Sequence, residues 1–363
     1  MVDGGTMNSF RIRLALVVGA ILIISGCAET KTVQPIPISK NGDQYTLNSP
    51  LTGFSDFVLV ETRGGEIAPR IVTLEAVIAD LAKYDVVFAG EAHGHATNHY
   101  VQSRLFSGLH EKVDDIALSM EQFERSQQNI VDQYLASEIG EETLVFEGKA
   151  WPDYRSSYRA LVEFAKDNSL PVIAAEVPAN LVSCIAEQGP DFLQSLSDDA
   201  RLLVAKELHL EESAYRDKFF AFMEAATGHS FSGDLSSQEI EQKKQHRYAA
   251  QVSRDDTMAE SITKHIAANP GRKVFHITGS FHSASMLGTP ERVLIRSPDL
   301  KLANVHPVLV KDPKHISFSV DDAKAGQYLL LLYPVPKRFV QMKNINAFIK
   351  RTQDRLDEDT CAY

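Results

Sequence analysis

Between Thr73 and Arg292 short apolar runs alternate with longer stretches of helical period, and this alternation constrains the fold more than any other feature. "DVVFAG", "DIALSME", "PVIAAE" and "KVFHITGS" read as strands, while "NHYVQSRLFSGLHEKV" and "YRALVEFAKDN" repeat apolar residues at helical spacing. Such a pattern predicts an α/β fold, a largely parallel sheet flanked by helices. "FVLVETRGGEIAP" suggests a hairpin around Gly64 and Gly65, and "TLEAVIADLAKY" a helix with Leu74, Val77, Ile78 and Leu81 on one face. The region from about Gly189 to Asn269 is mostly helical and too long for one crossover. It is expected to form a lobe over the carboxyl ends of the strands. "ISFSV" and "YLLLLYPV" supply further strands toward the carboxyl end.

The amino terminus carries a different signal. Arg11 and Arg13 precede "LALVVGAILIISGC", an apolar run of secretory h-region length and short of the roughly 20 residues that span a bilayer. "ISGC", ending at Cys27, looks like the lipobox of bacterial lipoproteins, with an ordinary signal peptide or an uncleaved anchor as the plainer reading. The expected organisation is a signal segment 1–27, a flexible tether 28–52, one domain 53–345 holding the lobe at about 189–269, and a tail 346–363. Export to the cell envelope, at the outer membrane, follows from the lipobox. Cys184 and Cys361 then remain as an even pair in an oxidising compartment, either bridged or as two free thiols.

Polar residues gather where the proposed strands stop. In open α/β sheets ligands bind beyond the carboxyl ends of the strands, where loops leave a crevice. The first strand delivers Glu91 and His93 in "VVFAGEAHGHATNHY", the second Glu121 in "SMEQF", the third Glu176 in "AAEVP" and the fourth His282 in "TGSFH". Gly90 and Gly279 lie at two of these exits, where glycine permits a sharp turn or a close approach. Each residue also has a plainer role: His93 as a helix cap, Glu121 as a buried partner of an arginine, Glu176 as a solvent-facing loop residue. His95 and His99 stand i, i+4 and would share a face if the helix already includes His95. Arg254 could clamp a carboxylate or pair with a neighbouring acid. Tyr154 and Tyr158 in "WPDYRSSYRAL", at the same spacing, read more readily as core or pocket wall than as iron ligands.

Other chemistries are excluded or absent. A net charge of −11 argues against a nucleic-acid partner, whose phosphates need a basic face. There is no Walker loop, no G-x-S-x-G elbow, no H-E-x-x-H helix and no C-x-x-C-H haem attachment site.

In "GEAHGHATNH", "SMEQF", "WPDYRSSYRALVEFA", "PVIAAEVP", "RDDTMAESI" and "GSFHSASMLGTPERV", taken in order, the sequence resembles the ChaN-type haem-binding lipoproteins, grouped with the TIKI/TraB proteins and erythromycin esterases. The resemblance implies a parallel α/β domain with a helical lobe, haem as ligand, and a part in iron acquisition at the envelope. It implies haem held between two copies of the chain through a histidine and a tyrosine, with Tyr154 and Tyr158 as candidates. Glu176 departs from the asparagine expected before "VP" and adds negative charge near the pocket.

Two readings follow. A haem carrier would use His93 or His282, Tyr154, Tyr158 and Arg254 about the porphyrin. A hydrolase would use Glu91, His93, Glu121 and His282, either around a divalent metal such as Mn or Zn, with His93, His99 and Glu121 as ligands, or by acid–base chemistry without metal.

Overall fold

Six neighbouring strands of the main sheet run parallel and are covered on both faces, which is why their sequences read as nearly unbroken apolar runs. The computed structural model describes residues 37–113, 115–227, 236–348 and Cys361. The proposed signal segment with Cys27, and most of the tail 346–363, lie outside the described residues. The strands are β1 (Ile38–Asn41), β2 (Gln44–Leu47), β3 (Phe57–Glu61), β4 (Arg70–Val72), β5 (Val86–Glu91) and β6 (Ile116–Glu124). After them come β7 (Val172–Glu176), β8 (Lys273–Gly279), β9 (Leu302–Leu309), β10 (Ile316–Ser319) and β11 (Tyr328–Leu332). The main sheet has the order β4-β3-β11-β9-β5-β8-β6-β7, with β3 antiparallel to both β11 and β4.

Alternation along each strand sorts side chains to two faces. Val87, Ala89, Phe275 and Ile277 face the helices Leu74–Leu81, Ala96–His110 and Arg159–Asp167. Phe106 stacks on Phe275 with ring centroids 5.5 Å apart and meets Phe164 edge-on, so Phe106→Ala would cost about 3–5 kcal/mol. Val86, Phe88 and Val274 face Met258, Ala259 and Ile262 of the long helix Ser237–Ala268. β5 and β8 are neighbours, yet the helix after β5 covers one face while the helix Thr289–Arg296 after β8 places Val293 on the other. Helices leaving in opposite directions open a crevice at that point of the sheet.

Two sequence expectations are amended and one open alternative is decided. The stretch read as a tether, 28–52, is partly structured: β1 and β2 form a hairpin that pairs with β10 in a separate three-stranded sheet, and Leu47 and Leu51 are buried. The two-residue turn at Gly42 and Asp43, with Gly42 at φ +57°, was its local signal; the partner strand lies some 270 residues away and left none. The helical block 189–269 is not purely a lobe, because the carboxyl half of its 32-residue helix packs on the sheet as an ordinary crossover helix. Cys184 and Cys361 are bridged, with Cα atoms 5.7 Å apart. Among the described residues no helix is long and apolar enough to cross a membrane.

Candidate functional site

β5 ends on Glu91, whose side chain is fully buried on the face covered by the helix Ala96–His110. The turn that follows is held by Asn98, which accepts from the Ala92 N–H and donates to the Gly90 carbonyl. Gly94, at φ +72°, supplies the left-handed residue that the turn requires. His93 emerges half-exposed with Nδ1 2.6 Å from Glu91 Oε1. A carboxylate oxygen that is ionised only accepts, so Nδ1 carries a proton, and Nε2 is the nitrogen that holds the lone pair when the ring is neutral. The same Oε1 accepts from the Tyr158 hydroxyl at 2.8 Å and from Gln122 Nε2 at 3.2 Å. The hydrogen bond to Glu91 raises the His93 pKa against the opposing effect of burial.

Glu121 lies on the opposite face of the sheet. Its Oε1 accepts from Arg254 at 2.7 Å, and its Oε2 from the Thr278 hydroxyl at 2.7 Å and the Gly279 N–H at 2.5 Å. Burial alone would raise its pKa, but the charges of His282 and Arg254 and these hydrogen bonds bring it down to about 2. Arg254 also binds Glu176 Oε2 through Nε at 2.9 Å. Burial pushes the Glu176 pKa up, although Glu176 shares the guanidinium that stabilises ionised Glu121. One cation cannot neutralise both carboxylates, and Glu121 has the additional donors, so the two shifts go in opposite directions. His282 donates from Nδ1 to Asp255 Oδ1 at 2.9 Å and places Nε2 3.9 Å from Glu121 Oε1. Burial would lower its pKa; Asp255 and Glu121 outweigh burial and raise it.

The two networks meet at Gly279. A Cβ built there would lie 2.9 Å from His93 Nε2 and 3.6 Å from Glu121 Oε2, so the absent side chain leaves room for the imidazole. Glu91, His93, Glu121, Arg254, Gly279 and His282 line one cleft of about 240 Å³, with Phe219, Phe222 and Phe281 among its walls. Glu121 and Arg254 also border an adjoining cleft of about 290 Å³, walled by Trp151, Glu176 and Val182. Trp151 stands 5.4 Å from the His93 ring, centroid to centroid.

Strand-end reasoning therefore brings together Glu91, His93, Glu121, Glu176 and His282, while several assigned roles change. Glu176 is buried, not solvent-facing. Arg254 is committed to two carboxylates and is no free clamp for a propionate. Tyr154 is buried in the core against Phe123, and the buried Tyr158 hydroxyl serves Glu91, so neither presents an oxygen to iron at the cleft. His99 is buried behind Glu91, with Nδ1 3.0 Å from Gln102 Oε1, and does not converge with His93 and Glu121 as a metal ligand. Among the described residues no group of three or more His, Cys, Asp or Glu side chains is arranged to hold a metal ion. The helix begins at Ala96, so His95 is its N-cap and donates from Nε2 to the Tyr333 carbonyl at 2.9 Å. Missed entirely were Gln122 and the aromatic wall Phe219, Phe222 and Phe281. Asp255 was visible only as a neighbour of Arg254; its place one residue on, turned to another side of the helix, was its signal.

The fold matches that of a ChaN protein of Campylobacter jejuni, described as binding haem cofacially, with a TM-score of 0.55, 15% identity, and coverage of 82% of this chain and 100% of that one. An erythromycin esterase variant in an open conformation aligns over 78% of this chain and 99% of its own, with 12% identity and a TM-score of 0.44. Direct comparison with curated proteins finds no match. The family model for haem-binding uptake proteins of the Tiki superfamily matches residues 77–293, more than half of the chain and the whole of the site described above. The chain belongs to this family, the ChaN-type haem-binding uptake proteins of the Tiki superfamily.

Proposed function

We propose that this chain binds haem at the cleft over β5 and β8 and serves haem and iron acquisition at a bacterial cell envelope, held there by a lipid on Cys27. One observation carries the reading: His93 lines the cleft with Nδ1 held by the buried Glu91, so that Nε2 is the ring nitrogen without a carboxylate partner, and Trp151 stands beside the ring. A neutral imidazole fixed through its other nitrogen is the usual form of a metal-ligating histidine. The donor and the aromatic walls fit an iron porphyrin, for which His93 would be the axial ligand. At about 240 Å³ the cleft falls below the roughly 300–1,000 Å³ of sites that enclose a small ligand. A porphyrin would therefore project from it, and a second copy of the chain would cover the outer face. The Cys184–Cys361 bridge accords with an oxidising compartment.

The test is haemin titration of the purified protein. A shifted Soret band that co-elutes with protein on gel filtration, and is weakened at least tenfold in affinity by His93→Ala, is expected. Haemin that elutes separately from the wild-type protein would refute the reading.

A second reading, hydrolysis with His282 as acid and Glu121 as base, draws on one observation: Asp255 fixes His282 Nδ1 and turns Nε2 toward Glu121. The electrostatics weigh against it. General bases work best with a pKa near the operating pH, and Glu121 is held at about 2. Turnover of ester or peptide substrates that is lost in His282→Gln would favour this reading over the first.

A further inference from the structure

We propose that the stretch from Tyr333 to Phe348, with Lys311 and Lys314 beside it, is a contact surface for an anionic phospholipid bilayer. It adds a second membrane contact to the lipid on Cys27, and it rests on the envelope location proposed above, not on haem. From Ala323 to Gln353 the sequence holds no aspartate or glutamate and six lysines or arginines, in a chain with 48 acids and a net charge of −11. Apolar residues are interleaved with the cations in "YPVPKRFVQMKNINAF". Val335, Met342 and Val340 are 46%, 68% and 85% exposed, beside exposed Lys337, Arg338 and Lys343. Single exposed apolar residues are ordinary, but grouped among cations they mark an interaction site. Arg338 lies over the rings of Phe339 and Phe348, 5.7 and 4.4 Å from their centroids. Among the described residues none of Lys337, Arg338 and Lys343 is paired with an acid. Such a surface suits a bilayer interface, where lipid phosphates meet the charges and acyl chains the apolar tips. Nucleic acid would use the charges and leave Val340 and Met342 in water.

The fold gathers residues of the same kind at this edge. β9 and β11 run parallel and stop together at Leu309 and Leu332. The loop after β9 carries exposed Lys311 and Lys314. The run after β11 leaves at Tyr333, whose carbonyl accepts from His95 and whose ring stands 6.3 Å from Phe54. Phe54 and the half-exposed Tyr100 line an open groove of about 690 Å³ with Phe57, Ala96 and Thr97. β1 starts here as well: Ile38 pairs with Leu47, and Leu47 with Ile316, just after Lys314. The chain between Cys27 and Ile38 spans at most about 40 Å, so a lipid on Cys27 holds this edge within reach of the bilayer. β5 is parallel to β9, so the cleft of Glu91 and His93 opens on the same edge, and the contact turns it toward the membrane.

The experiment reconstitutes the full chain into vesicles of phosphatidylcholine, alone or with phosphatidylglycerol, with bromine on the acyl chains. Trp151 is the only native tryptophan, so a Met342→Trp variant compared with wild type reports the depth of residue 342. Attachment through the amino terminus is common to both vesicles, so a difference between them belongs to this surface. Quenching of the added tryptophan should be at least twofold greater on anionic vesicles, and about 0.5 M salt should remove the excess. Lys337→Glu with Lys343→Glu should abolish it while keeping the Arg338 stack and the thermal melt. Hydrogen exchange of the wild-type segment 337–348, slowed on anionic vesicles only, would show that the added tryptophan did not create the contact. Equal quenching on both vesicles, an excess that survives charge reversal, or no slowing of exchange would overturn the inference. Mass spectrometry of the same sample reads the lipid on Cys27 separately, so failure of the anchor and failure of this contact are distinguishable.

Discussion

Gly279 and His93 are fitted to each other: a methyl group on the glycine would stand 2.9 Å from Nε2 of the imidazole. The backbone at Gly279 has φ −50° and ψ 135°, which any residue can adopt, so the glycine is required by the space that the ring occupies and not by its torsions. Gly279→Ala should therefore leave thermal stability within about 1 kcal/mol of wild type while displacing His93, because the atom in the way is the tip of a half-exposed side chain that can swing aside. Haem affinity should fall at least tenfold, measured by haemin titration beside a thermal melt. A variant with unchanged affinity would show that the ring has room to spare.

Acid should destabilise the fold through Glu121. Its folded pKa of about 2 lies below the ordinary glutamate value of 4.5, so it contributes stability that is present above 4.5 and is lost as pH falls toward 2. A difference of this size corresponds to about 3 kcal/mol. Denaturant melts of wild type and Glu121→Gln between those pH values should converge as pH drops. Parallel curves would mean that Glu121 is not the group responsible.

Removing Arg254 should be costly. Glu121 and Glu176 are both buried and share its guanidinium, and deleting one partner of a buried ionic cluster leaves uncompensated charge worth about 3–5 kcal/mol. Arg254→Met should lower stability by that order, and Arg254→Met with Glu176→Gln should recover part of it. Urea unfolding of the single and double variants measures both, and no recovery would argue that the two carboxylates are held independently.

The Cys184–Cys361 bridge ties the helix Ala179–Gln188 to a residue 177 positions away. Bridges over long loops constrain the unfolded chain, by about 2–5 kcal/mol in measured cases. Free-thiol counting after denaturation should find both cysteines oxidised, and Cys361→Ser should melt at lower temperature. Two titratable thiols in untreated protein would contradict the bridge.

Legibility in the sequence followed the range of the interactions. Strand ends were visible because apolar runs stop abruptly at Glu91, Glu176 and Gly279, and the parallel fold follows from the spacing of those runs. Which face each side chain takes was not visible, since a single register step separates the Glu91 side of the sheet from the Glu121 side. The spacing of Tyr154 and Tyr158 favours core or pocket wall over iron ligands, and helical spacing gives a shared face and not depth. Depth is what makes Tyr158 a donor to Glu91 instead of a ligand. Arg254 was identified by its charge, yet only the fold shows that it is already divided between two acids. The β1–β2 hairpin was hidden for a related reason: its partner β10 is distant, and its own strands are four residues each.

The account depends most on Nε2 of His93 being the atom offered to haem iron. Pulsed electron paramagnetic resonance of the ferric haem complex, with histidine labelled in ¹⁵N, reads this directly. A bound imidazole nitrogen should be seen in wild type, vanish in His93→Ala and return when free imidazole is added. A nitrogen coupling that persists unchanged in His93→Ala would place the iron on another residue and contradict the account.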